Sequence, residues 1–150
     1  MRWVDKEFTE LTAGELYAIV ALRQRVFVVE QACAYLDADG CDPACHHLRA
    51  ERDGQLLAFL RIVPVGLKFA EVSIGRVITA PAARGTGLGR ELMRRGLQWV
   101  SARLGAVPVR IGAQARLERF YRELGFVRAS DDYDEDGIPH LEMLRAGSET

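Results

Sequence analysis

A glycine-rich segment at residues 84–90, Arg-Gly-Thr-Gly-Leu-Gly-Arg, constrains the fold of this chain most strongly. It follows a β-branched run at residues 71–79 and precedes an amphipathic pattern whose apolar positions are Leu88, Leu92, Met93, Leu97, Val100 and Leu104. Glycines at alternate positions remove side chains where the backbone must approach something closely. A helix N-terminus has unpaired amides and a positive dipole end, so an anion is the expected partner. The segment therefore predicts a pyrophosphate-binding turn. A tight strand-to-helix turn, with glycines only for clearance, is the alternative.

Two other phosphate-binding loops fail on spacing. The Walker loop needs a glycine, four residues and then Gly-Lys-Ser/Thr, and the sequence contains no such string. The dinucleotide fingerprint G-x-G-x-x-G would need a glycine at position 90, where Arg90 stands. A nucleotide-binding module that uses this loop therefore remains only as an alternative, and it requires ATP or NAD to bind better than coenzyme A.

The other elements follow from periodicity and punctuation. Thr12 and Glu15 form a capping-box pattern before a first helix, which we expect to break near Arg23. Asp53-Gly54 is a favoured two-residue hairpin turn. Strands are predicted at residues 47–52, 55–63, 71–79, 109–112, 126–133 and 140–144, and further helices at residues 87–104 and 117–124.

This order predicts an α/β (α+β) fold with a mixed, mostly antiparallel central sheet flanked by helices. The strand ending at Thr79, the helix from Gly87 and the strand at Val109 form a central βαβ unit with a right-handed crossover. A length of 150 residues is that of one domain, so residues 1–150 are expected to form a single domain.

Composition excludes several classes of protein. Twenty basic and 21 acidic residues give a net charge of −1, which argues against a nucleic-acid binder. No apolar run approaches the ~20 residues of a membrane span, and the N-terminus lacks the apolar stretch of a signal peptide, so we expect a cytoplasmic protein without a membrane partner. The cluster from Cys41 to His47 invites a zinc interpretation, but no second Cys/His pair has zinc-finger spacing. We expect no metal.

Two motifs together resemble a known family. The pattern R-x-x-G-x-G, met by Arg84, Gly87 and Gly89, resembles the acetyl-CoA loop of the GCN5-related N-acetyltransferases (GNAT). About forty residues later, residues 119–126 resemble the second signature of that family, F-Y-x-x-x-G-F. The element order extends the resemblance over nearly the whole chain. Further segments resemble the ElaA-like branch of the family, for which no acceptor is implied: residues 26–31, 33–42, 75–77, 112–114 and 135–140.

The resemblance implies acetyl-CoA as co-substrate. In the family, the strand before the loop pairs through its backbone with the pantetheine arm, and the loop amides face the pyrophosphate. The implied cofactor-binding residues are Val77, Ile78, Thr79, Arg84, Gly85, Thr86, Gly87, Leu88, Gly89 and Arg90. Valine and isoleucine here are equally what a buried strand holds, and the two arginines could be solvated helix-start charges.

The resemblance also implies direct transfer of the acetyl group to a primary amine in a ternary complex. Tyr121 matches a tyrosine that protonates the departing thiolate, although a core tyrosine would look the same. The attacking amine must first lose a proton, for which Glu71 and His140 are the leading acceptors, with Glu30 and His47 as further candidates. Each of these four could instead be a structural residue.

Several features leave alternatives open. Cys33 could support a ping-pong route, but a buried structural cysteine is the expected state. Acidic clusters at residues 37–42 and 131–136 either attract a cationic acceptor or are soluble turns. The expected partner is a small-molecule or protein amine, and the family makes a homodimer possible. A non-catalytic acyl-CoA-binding or sensory domain with the same fold is the alternative function.

Overall fold

Four antiparallel strands form the first sheet of the computed structural model, which describes residues 1–147. The hairpin turn between the second and third strands has positive φ at both Asp53 (52°) and Gly54 (77°), as a type I′ turn requires, so this prediction is confirmed. The strands pair in the order of the sequence: β1 (Arg2–Glu7), β2 (His46–Arg52), β3 (Gln55–Val63) and β4 (Ser73–Thr79).

A second, smaller sheet is built around the last long strand. In it β8 (Ile138–Arg145) pairs with β5 (Val109–Gln114), β6 (Val127–Arg128) and β7 (Tyr133–Glu135), in every case antiparallel. The mixed, mostly antiparallel arrangement predicted from the sequence is confirmed.

The two sheets touch at one parallel bridge. Val72 bridges Val109, and the amide of Arg110 donates to the carbonyl of Val72 at 3.0 Å. The structure pairs β4 and β5 at no other point among residues 1–147, so these two strands diverge after the bridge. Because β4, the following helix and β5 are consecutive, the expected central strand–helix–strand unit is present. Its two strands are unpaired beyond the bridge, which leaves a gap between them.

In the part of the chain that the structure describes, three α-helices and one π-helix cover the sheets. The first, α1 (Ala13–Arg23), begins with the predicted capping box, in which Glu15 N–H donates to Thr12 Oγ1 at 3.1 Å. It passes directly into a π-helix (Gln24–Glu30), so the break expected near Arg23 is a change of helix type. No helix among residues 1–147 combines the length and the apolar character needed to cross a membrane.

The long helix α2 (Leu88–Leu104) is bounded by glycines with positive φ, Gly87 at 82° and Gly105 at 79°. The short helix α3 (Glu118–Arg122) precedes Gly125, whose φ of 96° reverses the chain towards β6. Gly96 lets α2 approach the sheet closely, because a Cβ at that position would lie 3.0 Å from Leu60 Cδ2.

The core has two parts, one on each face of the first sheet. The larger part lies between α2 and both sheets, and the smaller one joins Ile19 and Val26 of the first helices to Phe59 and Ile78. Strand β1 was not predicted, because its sequence shows only a weak alternation of apolar and charged residues. It is nevertheless paired over its whole length with β2, from Arg2–Glu51 to Glu7–His46.

Candidate functional site

A cleft of about 750 Å³ opens where β4 and β5 diverge. Its walls are the cleft-facing edges of the two strands, the π-helix and the β7–β8 hairpin. Thr79 and Arg84 line one part of it, and Tyr133 and His140 line another. These residues come from four separate segments. Of the predicted cofactor-binding residues, those of residues 77–79 and Arg84 line the cleft, and those of residues 85–90 do not.

The glycine-rich loop adjoins this region through Arg84, the one residue of the segment 84–90 in the cleft lining. Gly85 and Gly87 have φ values of 77° and 82°, which favour glycine, and an added Cβ at either would have no heavy atom within 4 Å. The Thr86 hydroxyl donates to the carbonyl of Ala83 at 2.6 Å and fixes the turn. Gly87 is the N-cap of a 17-residue helix and has no side chain to cap it, so the first amides of α2 lack a side-chain cap at the positive end of the helix dipole. This loop fits a diphosphate group.

The loop is joined to the cleft through β4. A Cβ on Gly89 would lie 3.7 Å from Cγ2 of Thr79, which lines the cleft. Arg84 also lines the cleft, and its Nη1 lies 2.5 Å from Oε1 of Glu30 at the end of the π-helix. Arg90 instead forms an ion pair with Glu123, and its hydrogen bond lowers the pKa of that carboxyl group.

All three predicted residues of the cofactor strand line the cleft: Val77, Ile78 and Thr79. The side chain of Ile78 is packed in the smaller core and that of Val77 against the larger one, so their main-chain atoms are the groups left to face the cleft. Residue type therefore reflects packing at these positions, and any binding function belongs to the backbone.

Tyr121 lines the same cleft and is only 7% exposed. Its ring makes edge-to-face contacts with Phe120 at 5.1 Å and Phe126 at 5.9 Å between centroids. Burial raises the pKa of this phenol to about 12. The Tyr121 side chain is thus packed in the core and also lines the cleft, with its hydroxyl group protonated. This position is compatible with both a core tyrosine and a proton donor.

Two of the four candidate proton acceptors lie in the cleft. Glu30 is engaged by Arg84. His140 is buried, with Nδ1 2.8 Å from the carbonyl oxygen of Ile138 and Nε2 3.2 Å from Oε2 of Glu135. Of the two, only His140 is held by a carboxylate instead of being paired to an arginine.

The other two candidates lie outside the cleft lining. Glu71 accepts two hydrogen bonds from Arg110, at 3.0 and 3.1 Å, and these lower the pKa of its carboxyl group. His47 is 1% exposed, its Nε2 lies 3.0 Å from the carbonyl oxygen of Asp42, and burial lowers its pKa. The position of Glu71 outside the cleft lining and its pairing with Arg110 disfavour it as a proton acceptor and favour a structural ion pair.

Cys33 lines the cleft as a buried thiol. Its Sγ lies 3.1 Å from the carbonyl oxygen of Asp136, and burial, followed by the charges of Asp136 and Asp134, raises its pKa. A thiol held in its protonated form is a poor nucleophile, which disfavours the ping-pong route. Within residues 1–147, no group of three or more histidine, cysteine and acidic side chains is arranged to hold a metal ion.

The acidic loop at residues 37–42 is an internal ion-pair network instead of an open acidic surface. Arg61 is 1% exposed and donates to Asp39 and Asp42, with distances of 2.5 and 2.9 Å. Arg23, equally buried, contacts Asp42 at 2.7 Å and Asp37 at 2.8 Å. These carboxylates are therefore already neutralised by the protein and are not available to attract a cationic acceptor.

The second acidic cluster is exposed, and two of its members, Glu135 and Asp136, line the cleft. From the sequence, both were considered only as members of this cluster, either to attract a cationic acceptor or as a soluble turn. Arg76, which was given no role, also lines the cleft and binds Asp37. A signal for Arg76 was present, because an arginine inside a β-branched strand run needs a carboxylate partner, and the loop at residues 37–42 supplies one.

The chain matches the family model described as "Acetyltransferase (GNAT) domain" over residues 18–145. It is 40% identical over 147 residues to Protein ElaA of Escherichia coli (strain K12), covering 97% of this chain and 96% of that protein. The crystal structure of Escherichia coli ElaA has a TM-score of 0.90 over 96% of this chain and 98% of that one.

Two further solved structures share the fold. The crystal structure of an acyl-CoA N-acyltransferase from Pseudomonas aeruginosa is 48% identical, with a TM-score of 0.92 and coverage of 97% of this chain and 99% of that one. An aminoglycoside 6'-N-acetyltransferase complexed with coenzyme A is 14% identical, with a TM-score of 0.71 and coverage of 95% and 96%, a likeness of fold alone.

Proposed function

This chain belongs to the GNAT acetyltransferase family, and from that premise we propose that it transfers the acetyl group of acetyl-CoA to a primary amine. The observation that carries the proposal is that three features lie in or directly beside one cleft. These are the open glycine loop at the start of α2, the edge of β4 that β5 leaves unpaired, and the buried hydroxyl group of Tyr121. An acyl-CoA N-acyltransferase 48% identical to this chain supports the same reaction class.

The fit to coenzyme A comes from the loop and the strand. The loop amides of residues 85–90 would hold the pyrophosphate, and Arg84 would flank it. The main chain of Val77 and Thr79 would pair with the pantetheine arm. When bound, acetyl-CoA supplies an activated acyl group to the cleft. A structure of a fold neighbour complexed with coenzyme A supports this choice of co-substrate.

Each residue then has a separate task in a direct transfer within a ternary complex. Backbone amides of β4 face the thioester carbonyl and stabilise the negative charge that develops on its oxygen. The Tyr121 hydroxyl donates its proton to the departing sulfur, a task suited to a group whose pKa of about 12 keeps it protonated.

His140 accepts the proton of the attacking amine, either directly or through water. An alkylammonium has a pKa of about 10, so most acceptor molecules are protonated at neutral pH. Each must lose a proton before its nitrogen can attack. Nδ1 lies 2.8 Å from the carbonyl oxygen of Ile138, so Nε2 is the ring nitrogen that takes the proton, and Glu135, 3.2 Å away, then forms an ion pair with it. The acceptor is a small-molecule or protein amine whose identity this cleft leaves open.

The test is thermal unfolding with acetyl-CoA, CoA, ATP and NAD added separately at equal concentrations. A ligand at one hundred times its dissociation constant stabilises by about 2.7 kcal/mol, which for 150 residues raises the melting temperature by roughly 5 to 11 °C. We expect this shift with acetyl-CoA and CoA alone. This shift should be lost in Arg84→Glu and kept in the control variant Arg52→Glu. Arg52 is exposed at the end of β2 and lies outside the cleft lining.

Each contrary outcome would exclude a different part of the proposed function. Lack of stabilisation by either CoA species would reduce Gly85, Gly87 and Gly89 to turn residues. Preferential stabilisation by ATP or NAD would make the loop a nucleotide site. Binding of CoA without transfer to any member of a broad amine panel would favour the acyl-CoA-binding or sensory alternative.

A further inference from the structure

A β-bulge interrupts β4 where this strand lines the cleft. The register between β3 and β4 shifts there, so that two residues of β4, Arg76 and Val77, oppose the single residue Leu60. The extra residue changes the phase of the strand. Ile74 and Val77, three positions apart, both pack in the core beneath α2, whereas a regular strand would place them on opposite faces.

The bulge depends on an unusual backbone conformation at Arg76. Its φ is 51°, in the left-handed region that non-glycine residues rarely adopt. Among residues 1–147 the other non-glycine residues with positive φ are Asp53 and Asp136 in hairpin turns and Ala32 just after the π-helix, so Arg76 alone lies within a strand. Such a conformation persists only where the surroundings hold it, and it occurs often at functional sites.

A fork of hydrogen bonds holds Arg76 in place. Its Nε donates to Oδ1 of Asp37 at 2.7 Å, and its Nη2 donates to the carbonyl oxygen of the same residue at 3.1 Å. Asp37 is 7% exposed and is fixed from its other side by Nε of Arg23 at 2.8 Å. The guanidinium group also lies 6.0 Å from the ring of Phe27. The bulge is thus tied to the π-helix and to the loop at residues 37–42.

We propose that Arg76 is a positioning residue, whose contact with Asp37 fixes the bulge so that amides of β4 face the thioester carbonyl. Successive N–H groups of a strand point to opposite edges, so a one-residue slip would turn to β3 those amides that now face the cleft. Fixed amides polarise a carbonyl more than mobile ones do, because their orientation costs nothing during the reaction. This inference rests on the proposed function.

The test is the infrared carbonyl stretch of acetyl-CoA labelled with ¹³C at the thioester carbonyl, recorded free and bound. We expect the wild type to lower the stretching frequency on binding. Arg76→Ala, which loses the guanidinium group and disfavours positive φ, should still bind CoA but lose the frequency shift. Arg76→Gly also lacks the guanidinium group but adopts positive φ freely, so it should keep part of the shift.

The matched control is Lys68→Ala, which removes a cation from the same cleft and the same network, 3.2 Å from Asp39, without touching β4. It should keep the full shift. Should Arg76→Ala fail to fold, a reduced shift in folded Arg76→Gly supports the proposal and an undiminished one overturns it. A full shift in both variants, or none in a wild type that binds acetyl-CoA, also overturns it. A wild type that does not bind acetyl-CoA refutes the proposed function itself.

Discussion

The hydroxyl group of Tyr121 keeps its proton over the whole physiological pH range, because burial raises its pKa to about 12. A proton donor to a leaving thiolate must be protonated when the thiolate departs, so this environment suits the proposed task. We expect Tyr121→Phe to lower turnover by about 100-fold, the usual order for one general acid, while CoA affinity stays within about two-fold. Steady-state kinetics and calorimetric titration with CoA check this prediction.

The fold should tolerate that change, because the phenylalanine ring keeps both edge-to-face contacts. An unchanged melting temperature is therefore part of the expected result. Equal turnover in Tyr121→Phe and wild type would show that the leaving sulfur is protonated by another group or by water.

Of the three buried histidines, His47 and His140 offer a matched comparison. Only His140 lines the cleft, with Nε2 beside Glu135. We expect His140→Gln to lower turnover at neutral pH by about 100-fold and to lose less as the pH rises, because the free amine fraction then increases without a base. His47→Gln should lower the melting temperature and leave the turnover of the folded enzyme unchanged.

The measurement is the pH–rate profile of both variants and the wild type with one primary amine acceptor. A His140→Gln profile of the same shape as that of the wild type would remove His140 from the proton path. The proton would then have to leave through solvent, since Glu71 and Glu30 are both engaged by arginines.

Single residues were predictable from the sequence where a motif fixed their spacing. Tyr121 follows the glycine loop at a distance set by the intervening helix and strand, so its position in the cleft could be expected. Partners distant in sequence could not be predicted in this way. Arg76 and Asp37 are 39 residues apart, and nothing in either local pattern says which carboxylate meets which arginine.

At the scale of elements, a substitution at the start of α2 should change stability and CoA affinity in opposite directions. Gly89 is the second residue of α2, its φ is not positive, and an added methyl group would make only an ordinary contact with Thr79 at 3.7 Å. Alanine is a better helix former by up to about 1 kcal/mol, so Gly89→Ala should unfold no more easily than the wild type. The same methyl group stands between the loop and β4, so CoA affinity should fall about ten-fold or more.

Gly14 is the matched control, because it is likewise the second residue of a helix, α1, and has nothing within 4 Å of an added Cβ. Gly14→Ala should gain similar stability and leave CoA affinity unchanged. Urea unfolding and titration with CoA measure the two quantities separately. If Gly89→Ala bound CoA as the wild type does, the loop would not approach the coenzyme closely at this position.

Elements with strong local signals were predicted well and one with a weak signal was missed. The type I′ hairpin turn at Asp53-Gly54, the capping box of α1 and the glycine boundaries of α2 are encoded within a few residues, so local chemistry specifies them. Strand β1 is an edge strand whose pairing with β2 joins residues 39 to 49 positions apart, such as Glu7–His46 and Arg2–Glu51. Its stability comes from that pairing, which no local pattern shows.

For the whole molecule, the buried ion-pair network joins segments that are far apart in the chain. Arg23 at the end of α1 and Arg61 in β3 both contact Asp42, and Lys68 contacts Asp39 from the loop before β4. The network thus fastens the π-helix, the acidic loop and the first sheet into the frame around the cleft. Burial of the Arg23 and Arg61 charges is costly, so these two arginines must stay paired with their carboxylates for the frame to be stable, whereas Lys68 is exposed.

This pairing makes stability depend on pH in a definite direction. Burial acts to raise the pKa of Asp39, but hydrogen bonds from Arg61 and the Cys41 amide outweigh it and hold the pKa well below its usual range. Asp42 behaves in the same way, through Arg23. A carboxyl group with a lowered pKa in the folded state stabilises fully above its unfolded pKa of about 3.9, and this stabilisation is lost as the pH falls below that value.

We therefore expect the free energy of unfolding of the wild type to be nearly level near neutral pH and to fall steeply below about pH 4. Asp39→Asn should be less stable at neutral pH by roughly 2 to 3 kcal/mol, since Arg61 loses one of two partners, and its stability should fall less steeply in acid. The two curves approach each other at low pH, because protonation removes from the wild type the charge that the variant already lacks.

Urea unfolding followed by circular dichroism at a series of pH values measures both curves, and Asp53→Asn serves as control. Asp53 is an exposed turn residue at which asparagine keeps the type I′ geometry, so its curve should run parallel to that of the wild type. A parallel curve for Asp39→Asn as well would mean that Asp39 binds protons equally in the folded and unfolded states. The pairing of Asp39 with Arg61 would then make no net contribution to the stability of the frame around the cleft.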